Sequence, residues 1–311
     1  MNKNIFLHIG YPRTGTTWFQ RVFFPLHEDI FYLDEPNNRW LNDFIWKSDF
    51  EFNSDEMKEK FVDSVKDSQK QIIGISNEGF CGNILGRLIE PQIIADRLRR
   101  VFGDYDVKLI VFLRNQAEIL LSMYKVLIKE GTPCRYESLF DPSAIYRINL
   151  SYFKYDKMIE LWQQYFEKNS IGVFLYEDFI ENKLELLNLL CNFLSISSVS
   201  PDSNKVLHNK LDFIINPGYP DSSIPLIRIF NKLSTSYMNP DGLLPNKMSK
   251  RFRKMTKKRW FFKIFSLVKG NYSSRFREAN EEYFCNYFDR SNKNLEKLLK
   301  KDLKDHYPMV V

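Results

Sequence analysis

Hydrophobic and polar positions follow two alternating patterns over residues 1–195. Short apolar runs rich in branched side chains are typical of buried strands, and they fall at Ile5–Ile9, Ile30–Leu33, Gln71–Ser76, Val107–Leu113 and Ile171–Tyr176. Between them, apolar residues three and four apart predict helices, for example over 93–102 and 183–194. Strands separated by helices indicate an α/β fold with a parallel sheet, whose ligands bind beyond the carboxyl ends of the strands.

The pattern changes after residue 195. Six prolines between 196 and 246 indicate loops, and a long helical pattern covers 273–303. We therefore expect one domain over 1–311. Its core sheet lies within 1–195, and 196–311 supplies a lid or acceptor-side wall and a C-terminal helical region.

The segment Gly10-Tyr-Pro-Arg-Thr-Gly-Thr-Thr17 connects the first predicted strand to a helix. Gly10 and Gly15 permit a tight turn with close backbone approach, and a helix N-terminus favours bound anions. Arg13 adds a cation. The spacing of the glycines matches the ATP-binding P-loop, but the lysine that should follow the second glycine is absent. The pattern predicts a phosphate site and argues against an ordinary kinase or ATPase.

The full run YPRTGTTW resembles the phosphosulfate-binding loop of the sulfotransferase family, Tyr-Pro-Lys/Arg-Ser/Thr-Gly-Thr-Thr-Trp. The resemblance implies a P-loop NTPase-like sulfotransferase fold and 3′-phosphoadenosine 5′-phosphosulfate (PAPS) as sulfuryl donor, with adenosine 3′,5′-bisphosphate (PAP) as product. It implies that Arg13 stabilises charge on the leaving nucleotide and that Trp18 packs beside the adenine. The residues that the resemblance assigns to the 5′-phosphosulfate are Arg13, Thr14, Gly15, Thr16 and Thr17.

Two further segments match the family. Arg114 ends a buried strand and offers a bidentate guanidinium fork for phosphate, and Ser122 lies on the helix that follows. Together they resemble the 3′-phosphate-binding segment of the family. Tyr176 begins a Tyr-Glu-Asp run that resembles another family strand end, which implies that this tyrosine approaches the adenine or the 3′-phosphate.

Sulfuryl transfer to a hydroxyl requires a general base near the acceptor. Cytosolic steroid and phenol sulfotransferases use a histidine just after the second core strand, and here Glu78 holds that place. Carbohydrate sulfotransferases commonly use a glutamate nearer the first helix, which makes Glu35 a rival. We favour Glu78 as the base, Arg13 as the second catalytic residue, and a carbohydrate as the acceptor.

Composition adds a charge pattern. The net charge of +6 includes nine lysines and arginines, and no acid, between Lys247 and Lys263. This basic segment indicates an anionic membrane surface or an acidic glycan as partner rather than nucleic acid. Four aromatic side chains within it are suited to a membrane interface, namely Phe252, Trp260, Phe261 and Phe262.

The four cysteines and four histidines are scattered, which is typical of reduced core thiols in a cytoplasmic protein and predicts no metal requirement. No apolar stretch approaches the roughly 20 residues that span a bilayer. Two alternatives remain open. One is a P-loop small-molecule kinase, which would need magnesium. The other is a non-catalytic nucleotide- and membrane-binding protein.

Overall fold

A computed structural model of the chain describes residues 4–82, 84, 89–140, 148–202, 204–212, 219–236, 238–256, 258–268, 270–304 and 306–310. At 246, 249, 253, 259 and 262 it describes the backbone only. The chain forms two compact units. The first comprises 1–114, 149–215 and 291–306, and the second comprises 115–148, 216–290 and 307–311.

The first unit contains a parallel five-stranded sheet in the order β2-β3-β1-β4-β5. Its strands are β1 (Asn4–Gly10), β2 (Ile30–Leu33), β3 (Ile72–Asn77), β4 (Asp106–Leu113) and β5 (Ile171–Leu175). The central strand β1 pairs with β3 and β4, so that Leu7 lies opposite Ile75 and Leu109. The predicted parallel α/β fold is therefore confirmed.

Helix α1 directly follows the loop after β1. It runs as Thr16–Trp18, a wider π-helical turn Phe19–Phe23, and Phe24–Leu26. The other helices of this unit are α2 (Asp43–Trp46), α3 (Ser54–Val65), α4 (Pro91–Phe102), α6 (Tyr155–Trp162), α7 (Tyr176–Glu181), α8 (Lys183–Leu194) and α9 (Lys205–His208). A 3₁₀ turn, Glu78–Cys81, follows β3.

The second unit is helical in its described part. Its helices are α5 (Gln116–Glu130), α10 (Ile224–Leu233), α11 (Asn246–Thr256) and α12 (Arg259–Ser266), with most of the long α13 (Tyr272–Leu299). The buried amide of Asn231 on α10 donates to the carbonyls of Ile128 (2.8 Å) and Thr132 (3.0 Å). Ile128 lies in the last turn of α5 and Thr132 lies just beyond it, so Asn231 fixes the end of α5 against α10.

The last turns of α13 belong to the first unit and contact α6 through a buried acid. Asp156 accepts hydrogen bonds from the Ser291 hydroxyl and from the Asn294 amide (3.1 Å). A buried carboxylate without such donors would be costly. This network therefore fixes α6, which also carries Tyr155.

Three sequence-based predictions differ from the structure. The strand predicted to Tyr176 ends at Leu175, and Tyr176 starts α7. The sequence pattern also predicts a helix over 151–168, but this segment is helical only at Tyr155–Trp162, after a 3₁₀ turn. Helix α10 was missed because Pro225 was counted as a loop signal. The first turn of a helix tolerates proline, whose missing N–H has no partner there.

Candidate active site

The loop between β1 and α1 is held in a strained conformation by hydrogen bonds from Thr14, within the loop, and from Arg114, at the end of β4. Arg13 has φ of 71° and Gly15 has φ of 82°. The left-handed region costs a non-glycine residue on the order of 1–3 kcal/mol. The Thr14 hydroxyl donates to the Tyr11 carbonyl at 2.7 Å, and the Arg114 guanidinium donates to the Arg13 carbonyl at 2.9 Å. The predicted turn between Gly10 and Gly15 is present, and its backbone is left-handed at Arg13 and Gly15.

Hydrogen bonds and ring contacts of two buried tyrosines, Tyr11 and Tyr155, stabilise the loop and the end of β4. The buried Tyr11 hydroxyl donates to the Tyr152 carbonyl at 2.6 Å, and the Tyr155 hydroxyl donates to the Arg114 carbonyl at 2.7 Å. The rings of Tyr11 and Tyr155 meet edge to face, with centroids 5.1 Å apart. These contacts join residues far apart in the chain, and no local sequence signal identifies them. They fix the backbone from which Arg114 reaches the loop.

Tyr176 also lies at this end of the sheet. The Arg114 guanidinium lies 4.6 Å from the centroid of its ring, a cation–π contact. A side-chain carbon added at Gly15 would approach the same ring to 3.4 Å. The structure therefore brings Arg13, Gly15, Arg114 and Tyr176 together, and their roles as ligands of the nucleotide stay a prediction.

Glu78 lies against the loop. The Thr16 hydroxyl donates to its carboxylate, and the Asn77 side chain caps the turn by accepting from the Gly79 amide at 2.8 Å. Burial raises the pKa of Glu78, while the hydrogen bond from Thr16 and the positive charge of Arg13 act in the opposite direction. The carboxylate is thus partly desolvated and interacts with the charge of Arg13.

Arg13 has the reciprocal environment. Burial lowers the pKa of its guanidinium, the charge of Glu78 opposes that shift, and the charge of Arg114 adds to it. An arginine stays protonated at neutral pH even after a substantial shift. Two guanidinium groups therefore add positive charge where α1 begins, an arrangement suited to a polyanionic ligand.

Trp18, which the resemblance places beside the adenine, is buried in the structure. It is 5% exposed and packs against Phe19 and Phe179, with the Lys183 ammonium 5.1 Å from its ring. Its indole nitrogen has no hydrogen-bond partner among the described residues. Trp18 is mainly a core residue behind the loop, and its contact with adenine stays a prediction.

An open cavity of about 410 Å³ lies at the carboxyl ends of β2 and β3. Its wall is polar and includes three carboxylates. The lining residues are Gln20, Arg21, Tyr32, Asp34, Glu35, Pro36, Ser76, Asn77 and Glu78. Glu78 thus belongs to this cavity and also contacts the loop through Thr16. Sequence reasoning named Glu78 and Glu35 but missed Gln20, Arg21 and Asp34.

The two rival glutamates differ in environment. Glu35 is exposed, and its carboxylate accepts from the Asn42 amide at 2.8 Å. Glu78 is half-buried and hydrogen-bonded to the loop. Both line the cavity, but the hydrogen bond to Thr16 belongs to Glu78. This geometry favours Glu78 as the base.

Ser76 lines the cavity and contacts a buried histidine. The His8 Nδ1 atom lies 2.7 Å from the Ser76 hydroxyl, which also accepts from Gln20 at 3.1 Å. His8 is fully buried among the rings of Phe19, Phe24 and Phe112, and burial lowers its pKa to about 3. The imidazole is therefore neutral at physiological pH, and His8 adds no charge beside the cavity residue Ser76.

Ser122 lies on α5 in the second unit and is half-buried. Its assignment to the 3′-phosphate stays a prediction. Across the part of the chain that the structure describes, no group of three or more His, Cys, Asp or Glu side chains could hold a metal ion. No described helix is long and apolar enough to cross a membrane.

The chain matches the family model described as "Sulfotransferase domain" over residues 3–298. It therefore belongs to the sulfotransferase domain family, and the resemblance of its loop to that family is confirmed. The match covers both compact units. No functionally curated protein matches the chain.

Several solved sulfotransferases are similar at low identity. A sulfotransferase from Alicyclobacillus acidocaldarius is 18% identical, with 68% of this chain and 90% of that chain covered and a TM-score of 0.46. The sulfotransferase domain of the Synechococcus PCC 7002 olefin synthase is 12% identical, with 73% and 94% covered and a TM-score of 0.44. Mouse sulfotransferase SULT7A1, solved in complex with PAP, is 15% identical, with 68% and 66% covered and a TM-score of 0.39.

Proposed function

We propose that the protein transfers a sulfuryl group from PAPS to a hydroxyl group of a carbohydrate, releasing PAP. The hydrogen bond between Thr16 and Glu78 carries this proposal. It joins the anion-binding loop to a polar cavity that can hold an acceptor. One side chain therefore lies within reach of both reactants, as the base of a direct transfer must.

On the donor side, the loop residues Arg13 to Thr17 hold the 5′-phosphosulfate. Arg114, stacked on Tyr176, binds the 3′-phosphate. A guanidinium can donate two parallel hydrogen bonds to a phosphate, which makes it a strong and directional ligand. This requirement for a 3′-phosphate distinguishes PAPS from ATP.

The reaction is an in-line displacement without a covalent enzyme intermediate. The acceptor oxygen forms a bond to sulfur as the bond from sulfur to the bridging oxygen of the nucleotide breaks. Glu78 takes the proton of the acceptor hydroxyl, and its raised pKa makes it a better base than an exposed carboxylate. Arg13 stabilises the negative charge that develops on the departing PAP. None of these steps requires a metal.

A carbohydrate fits the acceptor cavity by its chemistry. The wall offers amide, hydroxyl, carboxylate and guanidinium groups, among them Gln20, Arg21, Asp34 and Ser76. A sugar presents several hydroxyl groups that can pair with such donors and acceptors. We further propose that the enzyme acts in the cytoplasm and that its basic segment 247–263 contacts an anionic partner.

The rival functions predict different ligands. A small-molecule kinase would bind ATP with magnesium, although the lysine expected after Gly15 is replaced by Thr16. A non-catalytic binding protein would take up PAP but transfer nothing. Nucleotide choice and turnover therefore separate the three.

Thermal unfolding with PAP, ADP and ATP, with and without magnesium, tests the donor. A ligand at about 100 times its dissociation constant stabilises a fold by about 2.7 kcal/mol. We expect PAP to raise the melting temperature far more than ADP or ATP, independently of magnesium. Labelled PAPS with a panel of free and lipid-linked glycans then tests transfer. Equal shifts from ATP, or PAP binding without transfer to any hydroxyl acceptor, would overturn the proposal.

A further inference from the structure

The stretch between Asp241 and Glu278 has an extreme charge distribution. It contains twelve lysines and arginines and no acidic residue. Helices α11 and α12 lie within it, in the second unit. Sulfuryl transfer as proposed above uses none of these side chains.

The inner side of these helices packs on the segment before α11. The Phe252 ring stacks on Phe230 with centroids 3.5 Å apart. Phe261 is buried, 4.5 Å from the Phe265 ring. The Tyr219 hydroxyl lies 3.0 Å from that of Thr256. Phe261 is therefore a core residue, contrary to the sequence-based expectation, and Phe252 is half-buried against Phe230. The Phe262 side chain lies outside the described residues.

The outer side of α12 presents a different apolar surface. Trp260, Ile264 and Leu267 are 46%, 51% and 80% exposed. Their spacing of four and then three residues places them on one face of the helix. Val268 follows them and is also exposed. Large apolar side chains clustered in this way on a surface indicate an interaction site.

Exposed basic side chains lie on α11, at the start of α12 and on α12 itself. They are Lys247, Lys250, Arg251, Lys254, Lys258 and Lys263. None of the six has a carboxylate partner among the residues that the structure describes. We call the six basic residues, together with Trp260, Ile264, Leu267 and Val268, the basic–apolar face.

We propose that the basic–apolar face binds the surface of an anionic lipid bilayer. The basic side chains meet acidic headgroups, and the apolar stripe enters the boundary between headgroups and acyl chains, as in interfacial helices. An acidic glycan would satisfy the charges but would leave Trp260, Ile264 and Leu267 exposed to water. The combination of both kinds of side chain therefore favours a membrane over a soluble polyanion.

Flotation of the full-length protein with vesicles tests the proposal. We expect binding to vesicles of phosphatidylglycerol and phosphatidylcholine and little binding to phosphatidylcholine alone. Each lysine near an anionic surface contributes about five-fold in affinity. Replacing Lys247, Lys250 and Lys254 by glutamine should therefore weaken binding by about 100-fold.

Matched variants distinguish this face from general surface charge. Lys66→Gln, Lys168→Gln and Lys297→Gln remove the same charge from exposed positions elsewhere and should leave vesicle binding nearly unchanged. Likewise, Trp260→Ser with Leu267→Ser should weaken binding, whereas Trp46→Ser with Phe50→Ser, also exposed, should not. Thermal unfolding of each variant confirms that it is folded.

Three outcomes would overturn the proposal. The protein binds neither kind of vesicle, both sets of lysine variants weaken binding equally, or it binds heparin but no vesicle. The last result would assign the face to a soluble polyanion. Because the measurement is vesicle binding, it is independent of whether the protein transfers sulfate.

Discussion

The loop proposed to bind the donor and the cavity proposed to bind the acceptor meet at Glu78 but are built in opposite ways. The loop is strained, buried and fixed by hydrogen bonds from Arg114 and Thr14, and its ionisable side chain, Arg13, is cationic. The cavity is open and lined by three carboxylates and one guanidinium. A rigid cationic site suits one invariant polyanion, whereas an open polar cavity suits an acceptor recognised by its hydroxyl groups. Substitutions on the two sides should therefore change different kinetic quantities.

The largest effect is expected at the junction. Glu78→Gln keeps the shape of the side chain but removes the basic oxygen, and general-base catalysis is worth about 10² to 10⁴ in rate. Turnover should fall by that factor, while the dissociation constant of PAP stays unchanged. Glu35→Gln, in the same cavity, serves as the matched control and should be milder. The opposite ranking would transfer the role of base to Glu35.

The next largest effect is expected on the donor side. Arg114→Ala removes charge-assisted hydrogen bonds, each worth about 1.5–3 kcal/mol, so PAP should bind roughly 10- to 100-fold more weakly. The KM for the acceptor should change little. Isothermal titration with PAP measures the first quantity and steady-state kinetics the second. Unchanged PAP affinity would show that Arg114 only supports the loop.

A smaller effect on PAP affinity is expected at Tyr155, which contacts the backbone of Arg114. Tyr155→Phe deletes the hydroxyl that donates to the Arg114 carbonyl, a contact worth about 1 kcal/mol. PAP affinity should fall several-fold, and acceptor KM should stay the same. The measurement is again titration with PAP. Weaker acceptor binding with normal PAP affinity would contradict the separation of the two sides.

The last effect concerns stability rather than kinetics and arises at His8, which contacts the cavity residue Ser76. Burial lowers the pKa of His8 to about 3, from an ordinary value of 6.5. Between these values the unfolded chain binds a proton that the folded protein does not, so stability falls as pH drops below 6.5. His8→Phe should reduce this dependence, measured as urea midpoints at pH 5 and pH 7. His27, whose pKa burial also lowers, should leave a residual slope. An unchanged slope in the variant would contradict this environment for His8.

Local patterns predicted the structure of the loop segment and the strand end at Arg114. The strand before the loop, the two glycines and Arg114 at a strand end are all signals within a few residues, and the structure places them as expected. The acceptor side depends on contacts between distant residues. Asp34 and Gln20 line the cavity because β2 and α1 meet β3 there, and no spacing in the sequence reveals this.

The sequence also does not reveal which aromatic side chains of a helix are buried. Phe261 was expected at a membrane interface, and both Phe261 and Trp18 are buried within the protein; the contact of Trp18 with adenine stays a prediction. An aromatic residue at helical spacing has the same pattern on either side of a helix, so only the packing partners distinguish the two. The partners of Phe261 are Tyr219 and, on the same helix, Phe265. The exposed stripe is formed by Trp260, Ile264 and Leu267.

The dependence of turnover on pH tests the central assignment of Glu78 most directly. A base must be ionised to accept a proton, and burial raises the pKa of Glu78 above its ordinary value of 4.5. Turnover with saturating PAPS should therefore rise with pH along an acid limb whose apparent pKa lies above 4.5, and this limb should be absent in Glu78→Gln. If Glu78→Gln retains the same acid limb at near-normal turnover, another group takes the proton and the assignment is wrong.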